Sequence, residues 1–332
     1  MRALVIGATG FIGANVARAL LSAGHEVRAT RRRSSDLSAI EDLQGRLELV
    51  EGDILDPDSI RRALDGRHWL FHTAGYYPTV SLDLAAALEK GVRGMRNVLE
   101  AAAATPGLER VVYTSSLSTV GPPRDPGRRL ADERDYYVPG SAAGAYHEVK
   151  WALESEAYRY AAQGLATVVV NPSICFGPHD VKPTSGRLIL ELARGRLPAF
   201  VDGEINAVDV RDVAAGHVAA AERGRPGERY ILGNENVRVR DLVFRIARLS
   251  GVEPPRTVVP AGAAHAFAYA TELAARYVTG RPPFLPLENV DIIRHARFLD
   301  PSRARRDLGL PQTPIERGIE DALVWFRARG RL

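Results

Sequence analysis

Tyr146 and Lys150 stand four residues apart in the stretch Ala145-Tyr146-His147-Glu148-Val149-Lys150-Trp151-Ala152-Leu153-Glu154, which has helix-forming character. Residues at that spacing share a helix face, about 6 Å apart along the axis. A free phenol ionises near pH 10 and is a poor base at neutrality, but a neighbouring ammonium favours the phenolate and is expected to lower that value. The pair suits moving a proton to or from an alcohol or ketone oxygen. The lysine is informative because lysine is scarce: of 44 Lys+Arg only Lys90, Lys150 and Lys182 are lysines. An ammonium offers a compact charge with three donors, where a guanidinium fork would be larger and differently aimed. A third group, Ser116, ends the run Val111-Val112-Tyr113-Thr114-Ser115-Ser116. Its hydroxyl could hold the reacting oxygen, although a serine pair at a strand end is by itself ordinary turn chemistry.

Those three side chains need elements to carry them. Short apolar runs read as strands over 2–6, 26–30, 47–50, 69–73, 111–115, 167–170 and 229–232, with helices over 15–23, 58–64, 84–103 and 146–163. Continuous apolar strands alternating with helices imply an α/β fold, a Rossmann-type doubly wound parallel sheet, with ligands outside the C-terminal strand ends. After Pro172 proline and glycine punctuate the chain, and a smaller C-terminal substrate lobe is expected. The division is 1–172 for the dinucleotide-binding domain, with 207–235 returning to it, and 173–206 plus 236–332 for the lobe. The apolar segment 261–277 reads as packing within that lobe in preference to an interfacial helix.

The first strand runs into Gly7-Ala8-Thr9-Gly10-Phe11-Ile12-Gly13, and a helix follows at once. Glycines there permit a tight turn, close approach of a phosphate and close helix packing, while the helix N-terminus offers free N–H groups to a pyrophosphate. Gly7, Thr9, Gly10, Phe11, Ile12 and Gly13 are the expected contacts. The second strand ends Val27-Arg28-Ala29-Thr30-Arg31-Arg32-Arg33, without the acid that would accept from a ribose 2′-hydroxyl. Arginine can grip a 2′-phosphate. NADP(H) is therefore favoured over NAD(H), with Arg31 and Arg32 as contacts. Asp53 and Ile54 follow the third strand near the expected adenine edge, and Ala74 and Gly75 follow the fourth.

Composition narrows the alternatives. The chain has 332 residues, 45% hydrophobic and 25% charged, with a net charge of +4. No clustered basic face suggests nucleic-acid binding. Cys175 is the single cysteine, so no internal disulfide or cysteine-held zinc is available, and a reducing compartment is the natural reading. It lies in an apolar run and reads as a buried filler. No run reaches membrane-span length, and the N-terminal apolar stretch is short for a signal peptide, so a cytoplasmic protein with no membrane span and no metal is expected.

Together GATGFIG at 7–13, GDILD at 52–56, FHTAG at 71–75, VVYTSS at 111–116, YHEVK at 146–150 and NPSICFGP at 171–178 resemble the extended short-chain dehydrogenase/reductases, the NAD-dependent epimerase/dehydratase family. The resemblance spans nearly the whole chain. It implies a catalytic set of Ser116, Tyr146 and Lys150, with Lys150 also on the nicotinamide ribose and Pro172 and Ser173 beside the nicotinamide. Segments at 27–33 are similar to dihydroflavonol-4-reductase-like enzymes; those at 180–187, 197–203 and 227–236 are similar to the group called hopanoid-associated sugar epimerases. The family often forms homodimers through its two long helices. Gly91, Met95 and Asp209 depart from the family's usual Asn, Thr and His. The expected activity is ketone–alcohol interconversion on a small molecule. A sugar-nucleotide epimerase with tightly held NAD is the alternative, and a non-catalytic dinucleotide-binding regulator a third. Leu117 beside the serine, where a dehydratase would want an acid, argues against dehydration. Tyr76, Tyr77, Phe176 and Arg187 are candidate substrate contacts; Lys182 and Arg194 could also meet a phosphate.

Overall fold

A computed structural model of the chain describes residues 1–75, 83–142, 145–281, 283 and 285–332. In chain order the strands are β1 (Arg2–Ile6), β2 (Glu26–Arg31), β3 (Glu48–Glu51), β4 (Trp69–His72), β5 (Arg110–Thr114), β6 (Thr167–Pro172), β7 (Ile174–Phe176), β8 (Ala199–Phe200), β9 (Glu204–Asp209), β10 (Arg229–Leu232), β11 (Glu235–Arg238) and β12 (Thr257–Val258). The helices are α1 (Phe11–Ser22), α2 (Pro57–Leu64), α3 (Leu84–Ala103), α4 (Ala145–Ala162), α5 (Gly186–Ala193), α6 (Val210–Arg223), α7 (Val239–Ser250), α8 (Ala261–Ala274), α9 (Leu287–His295), α10 (Ser302–Leu308) and α11 (Ile315–Ala328).

Seven strands form a parallel sheet in the order β10-β6-β5-β4-β1-β2-β3. Val5 sits between Ala29 of β2 and Phe71 of β4, so the order reverses at β1 and leaves a crevice beyond its C-terminal end. Alternate residues of each strand feed opposite faces. Leu4, Ile6, Leu70, Val111 and Tyr113 meet residues of α2, α3 and α4 on one face. Val5, Phe71, Val112 and Val170 meet residues of α1 and α6 on the other. Local signals fix the helix starts: Asp56 accepts from the Asp58 and Ser59 N–H groups ahead of Pro57 in α2, and Asp209 accepts from the Arg211 N–H at the start of α6.

Past Pro172 the small strands pair as β11-β9-β7 and β12-β8. With α5, α7 and α11 they enclose a separate core that includes Phe176, Ile189, Val243, Ile319 and Phe326. Helices α8 and α9 share a minor cluster of Ala264, Ala268, Leu287 and Val290. The sequence reading did not foresee α6, which packs on α1. Nor did it foresee that α10 returns to the large sheet, where Ala304 and Leu308 join its core. Among the described residues no helix is long and apolar enough to cross a membrane.

Candidate active site

The glycine turn is built for close approach. Gly7 has φ of +91°, a region L side chains rarely adopt, and a Cβ there would lie 2.7 Å from the Ala74 nitrogen. A Cβ on Gly13 would lie 2.5 Å from Thr73 Oγ1, and that hydroxyl donates to the Ile6 carbonyl at 2.8 Å. Gly10 starts α1 without a side-chain cap, and no acid stands in the first turn. The free amides and the positive end of the helix dipole are thus left for an anion. At the far side of the crevice Pro172 ends β6, and Ser173 is buried with no partner for its hydroxyl among the described residues. These features fit a dinucleotide.

The catalytic candidates come together. Tyr146 sits in the first turn of α4, and Ser116 caps the single turn Leu117–Thr119 after β5. Tyr146 Oη donates to Ser116 Oγ at 3.2 Å, and the same oxygen accepts from the Ser118 N–H at 3.1 Å. One turn along α4, Lys150 Nζ donates to the Ser115 carbonyl at 3.5 Å. A Cβ on Gly75 would lie 3.1 Å from Nζ, so glycine leaves room at the ammonium. Burial pulls the Lys150 ammonium down to about 8, against the opposing pull of Glu154. Burial pushes the Tyr146 phenol up to about 12; the Ser116 hydrogen bond opposes the rise and the Glu288 carboxylate adds to it. The expected lowering by Lys150 is thus overturned: burial dominates, and the phenol is set to hold its proton at neutral pH.

Three further residues were missed in the sequence. Glu154 continues the Tyr146–Lys150 series by another four residues and is buried beneath the site. Its Oε2 accepts from Ser115 at 2.5 Å, Thr119 at 2.6 Å and Asn171 at 2.9 Å, while Oε1 takes Arg229 Nη1 at 2.9 Å. Arg229 is itself buried and donates to the carbonyls of Thr119, Glu133 and Asp135. The pair locks the loop that carries Ser116. The third residue is Glu288 of α9, whose carboxylate accepts the Tyr146 N–H at 3.2 and 3.3 Å. A carboxylate near the exposed amides of a helix start is favourable there. The fourfold spacing was the available signal for Glu154; nothing local marked Arg229 or Glu288.

Other expected residues fall as follows. Arg31 ends β2 half-buried, and Arg32 is exposed. Arg32, Arg33, Gly52 and Asp53 help to line a cleft of about 350 Å³, in which Arg33 pairs with Glu51. Asp53 Oδ1 accepts from the Leu55 N–H, and Ile54 packs against Gly94. Tyr76 and Tyr77 lie outside the described residues. Phe176 is corrected: it is fully buried in the small core, where its apolar ring packs and cannot line an open pocket. Arg187 is exposed on α5, and Arg194 donates to the Arg331 carbonyl. Cys175 is buried and its thiol pushed up by burial, as suits a filler. His147 is buried between Tyr137 and His295, its imidazole pulled down to about 3 by burial. Gly91 and Met95 are buried in α3.

Residues 3–233 match the model of the NAD dependent epimerase/dehydratase family. A Synechocystis sp. protein provisionally named dihydroflavonol 4-reductase is 39% identical over 331 residues, covering 98% of this chain and 94% of that protein. Sterol demethylase protein B of Methylococcus capsulatus is 35% identical over 334 residues and covers 100% of both chains. The crystal structure of gox2253 matches with a TM-score of 0.84 and 37% identity, covering 99% of each chain.

Proposed function

Because the chain belongs to the NAD dependent epimerase/dehydratase family and is an enzyme of the extended short-chain dehydrogenase/reductase type, we propose that it interconverts a ketone and a secondary alcohol on a small molecule with NADP(H). The observation that carries this reading is the Tyr146–Ser116 hydrogen bond one turn from a buried lysine. When bound, the dinucleotide supplies or accepts the hydride. Ser116 holds the carbonyl oxygen, and Tyr146 delivers its proton to that oxygen. Lys150 stabilises the phenolate left behind and reaches the ribose hydroxyls. Burial pushes the phenol up to about 12, so at neutral pH Tyr146 carries the proton that the carbonyl oxygen would receive.

Gly7, Thr9, Gly10, Phe11, Ile12 and Gly13 would take the pyrophosphate, Arg31 and Arg32 the 2′-phosphate, and Asp53 and Ile54 the adenine end. Ala74, Gly75, Pro172 and Ser173 would flank the rest. In this reading 1–172 with 207–235 binds the dinucleotide, and 173–206 with 236–332 shapes the substrate cleft. The single cysteine suits a cytoplasmic setting, and two copies would pair through α3 and α4. An epimerase that keeps NAD bound is the second reading, favoured by the family's own description. The test is a panel of ketones with NADPH, followed by loss of reduced-nicotinamide absorbance. Net oxidation that depends on Tyr146 supports the reductase; a bound dinucleotide with no net turnover, alongside sugar-nucleotide isomerisation, overturns it.

A further inference from the structure

Helix α8 and the π-helical turn that extends it, Ala275–Thr279, show two faces. Ala264, Ala268, Glu272 and Ala275 are buried, the first two of them packed with Leu287 and Val290 of α9. Opposite them Ala263, Ala266, Phe267, Ala270, Tyr277 and Val278 form an exposed apolar stripe at helical spacing. Tyr277 and Val278 are 72% and 82% exposed. The charges are sorted by sign. From Arg256 to Arg294 every acid, namely Glu272, Glu288 and Asp291, is buried, and every arginine, namely Arg256, Arg276, Arg281 and Arg294, is exposed.

We propose that this surface docks reversibly on an anionic lipid bilayer, with the stripe in the headgroup region and the arginines on lipid phosphates. The exposed Glu253 lies just before this stretch and Arg294 is 3.7 Å from Asp291, so Arg276 and Arg281 beside the stripe carry the charge argument; an exposed apolar helix face flanked by cations has the chemistry of an interfacial helix. A second copy seated through the same face would set arginine against arginine, which disfavours self-association there. The helix that carries the face is linked through its buried side to α9, which contacts the start of α4. His265 Nδ1 and Asp291 Oδ1 are 3.0 Å apart, Thr271 donates to the Leu285 carbonyl at 3.0 Å, and Glu288 on the same α9 holds the start of the catalytic helix.

The test is co-sedimentation of the full chain with phosphatidylcholine vesicles, with and without phosphatidylglycerol. Binding to the anionic vesicles at least about tenfold tighter than to neutral ones, weakened by salt, is expected. Arg281→Glu should weaken it about fivefold or more, and Tyr277→Ser with Val278→Ser should weaken it further, with circular dichroism unchanged. No wild-type binding to anionic vesicles, equal binding to neutral ones, or variants that bind as well as the wild type would overturn the proposal. So would a dimer lost in the same variants without any vesicle binding.

Discussion

Tyr146 is held from two sides, and the two are built differently. On the sheet side, α4 carries Tyr146, Lys150 and Glu154 in one row, and Glu154 gathers Ser115, Thr119, Asn171 and Arg229 into a buried network. On the lobe side, α9 reaches the catalytic helix through Glu288, and the α8 layer behind it turns apolar side chains to solvent. The sheet side fixes the reacting groups with many mutually dependent bonds. The lobe side meets the start of α4 through the Glu288 carboxylate.

The largest effect expected is on the chemical step. Tyr146→Phe removes the proton donor and should lower kcat by about 10²–10⁴-fold while leaving dinucleotide affinity nearly unchanged. A variant that kept its turnover would break the assignment. Next comes the network itself. Arg229→Met leaves Glu154 buried without its cation, and chemical denaturation should show a loss of about 3–5 kcal/mol. Adding Glu154→Gln should recover part of that loss. An Arg229→Met chain as stable as the wild type would show the sheet side to be no tighter than the lobe side.

Acid should loosen the sheet side further. Burial pulls His72 and His147 down to about 3 and His217 down to about 4. A folded value below the unfolded one, near 6.5, means that the unfolded chain takes up more protons. The stability these groups contribute is present above pH 6.5 and falls as pH drops toward the folded values. Burial pushes Asp180 up to about 6, which works the other way by favouring the folded chain below that pH. Each of these three histidines costs roughly 2 kcal/mol of stability on going from pH 7 to pH 5, and His179, also pulled down to about 4 by burial, adds to the loss. Thermal melts of wild type and His217→Gln should differ less at pH 5 than at pH 7.

The smallest effect tests the lobe side. Glu288 raises the Tyr146 phenol, so Glu288→Gln should move the Tyr146 limb of the pH–rate profile to lower pH, with little change in fold stability. An unmoved limb would reduce Glu288 to a helix cap.

The same division explains what the sequence made legible. On the sheet side each step leaves a local mark: apolar runs for strands, glycines at a strand–helix turn, Tyr and Lys at i and i+4. Ser116, Tyr146 and Lys150 could be placed from those marks, and α3 was bounded to the residue. Arg229 was legible only as the start of a strand, because its partner stands 75 residues away in sequence. Glu288 reaches Tyr146 across 142 residues, and α8 and α9 carry no motif that reports such contacts. The ionisation of Tyr146 was misread for a related reason. Spacing revealed the lysine beside it, but burial, which dominates, is a property of the assembled layers.

The central claim is tested most directly by titrating NADPH and NADH into the purified chain and into its Arg31→Ser/Arg32→Ser variant, after identifying any dinucleotide released on denaturation. The account predicts an emptied site that binds NADPH at least about tenfold more tightly than NADH, with that preference lost in the variant. Tightly held NAD, unaffected by removing the two arginines, would contradict it and make the chain an epimerase.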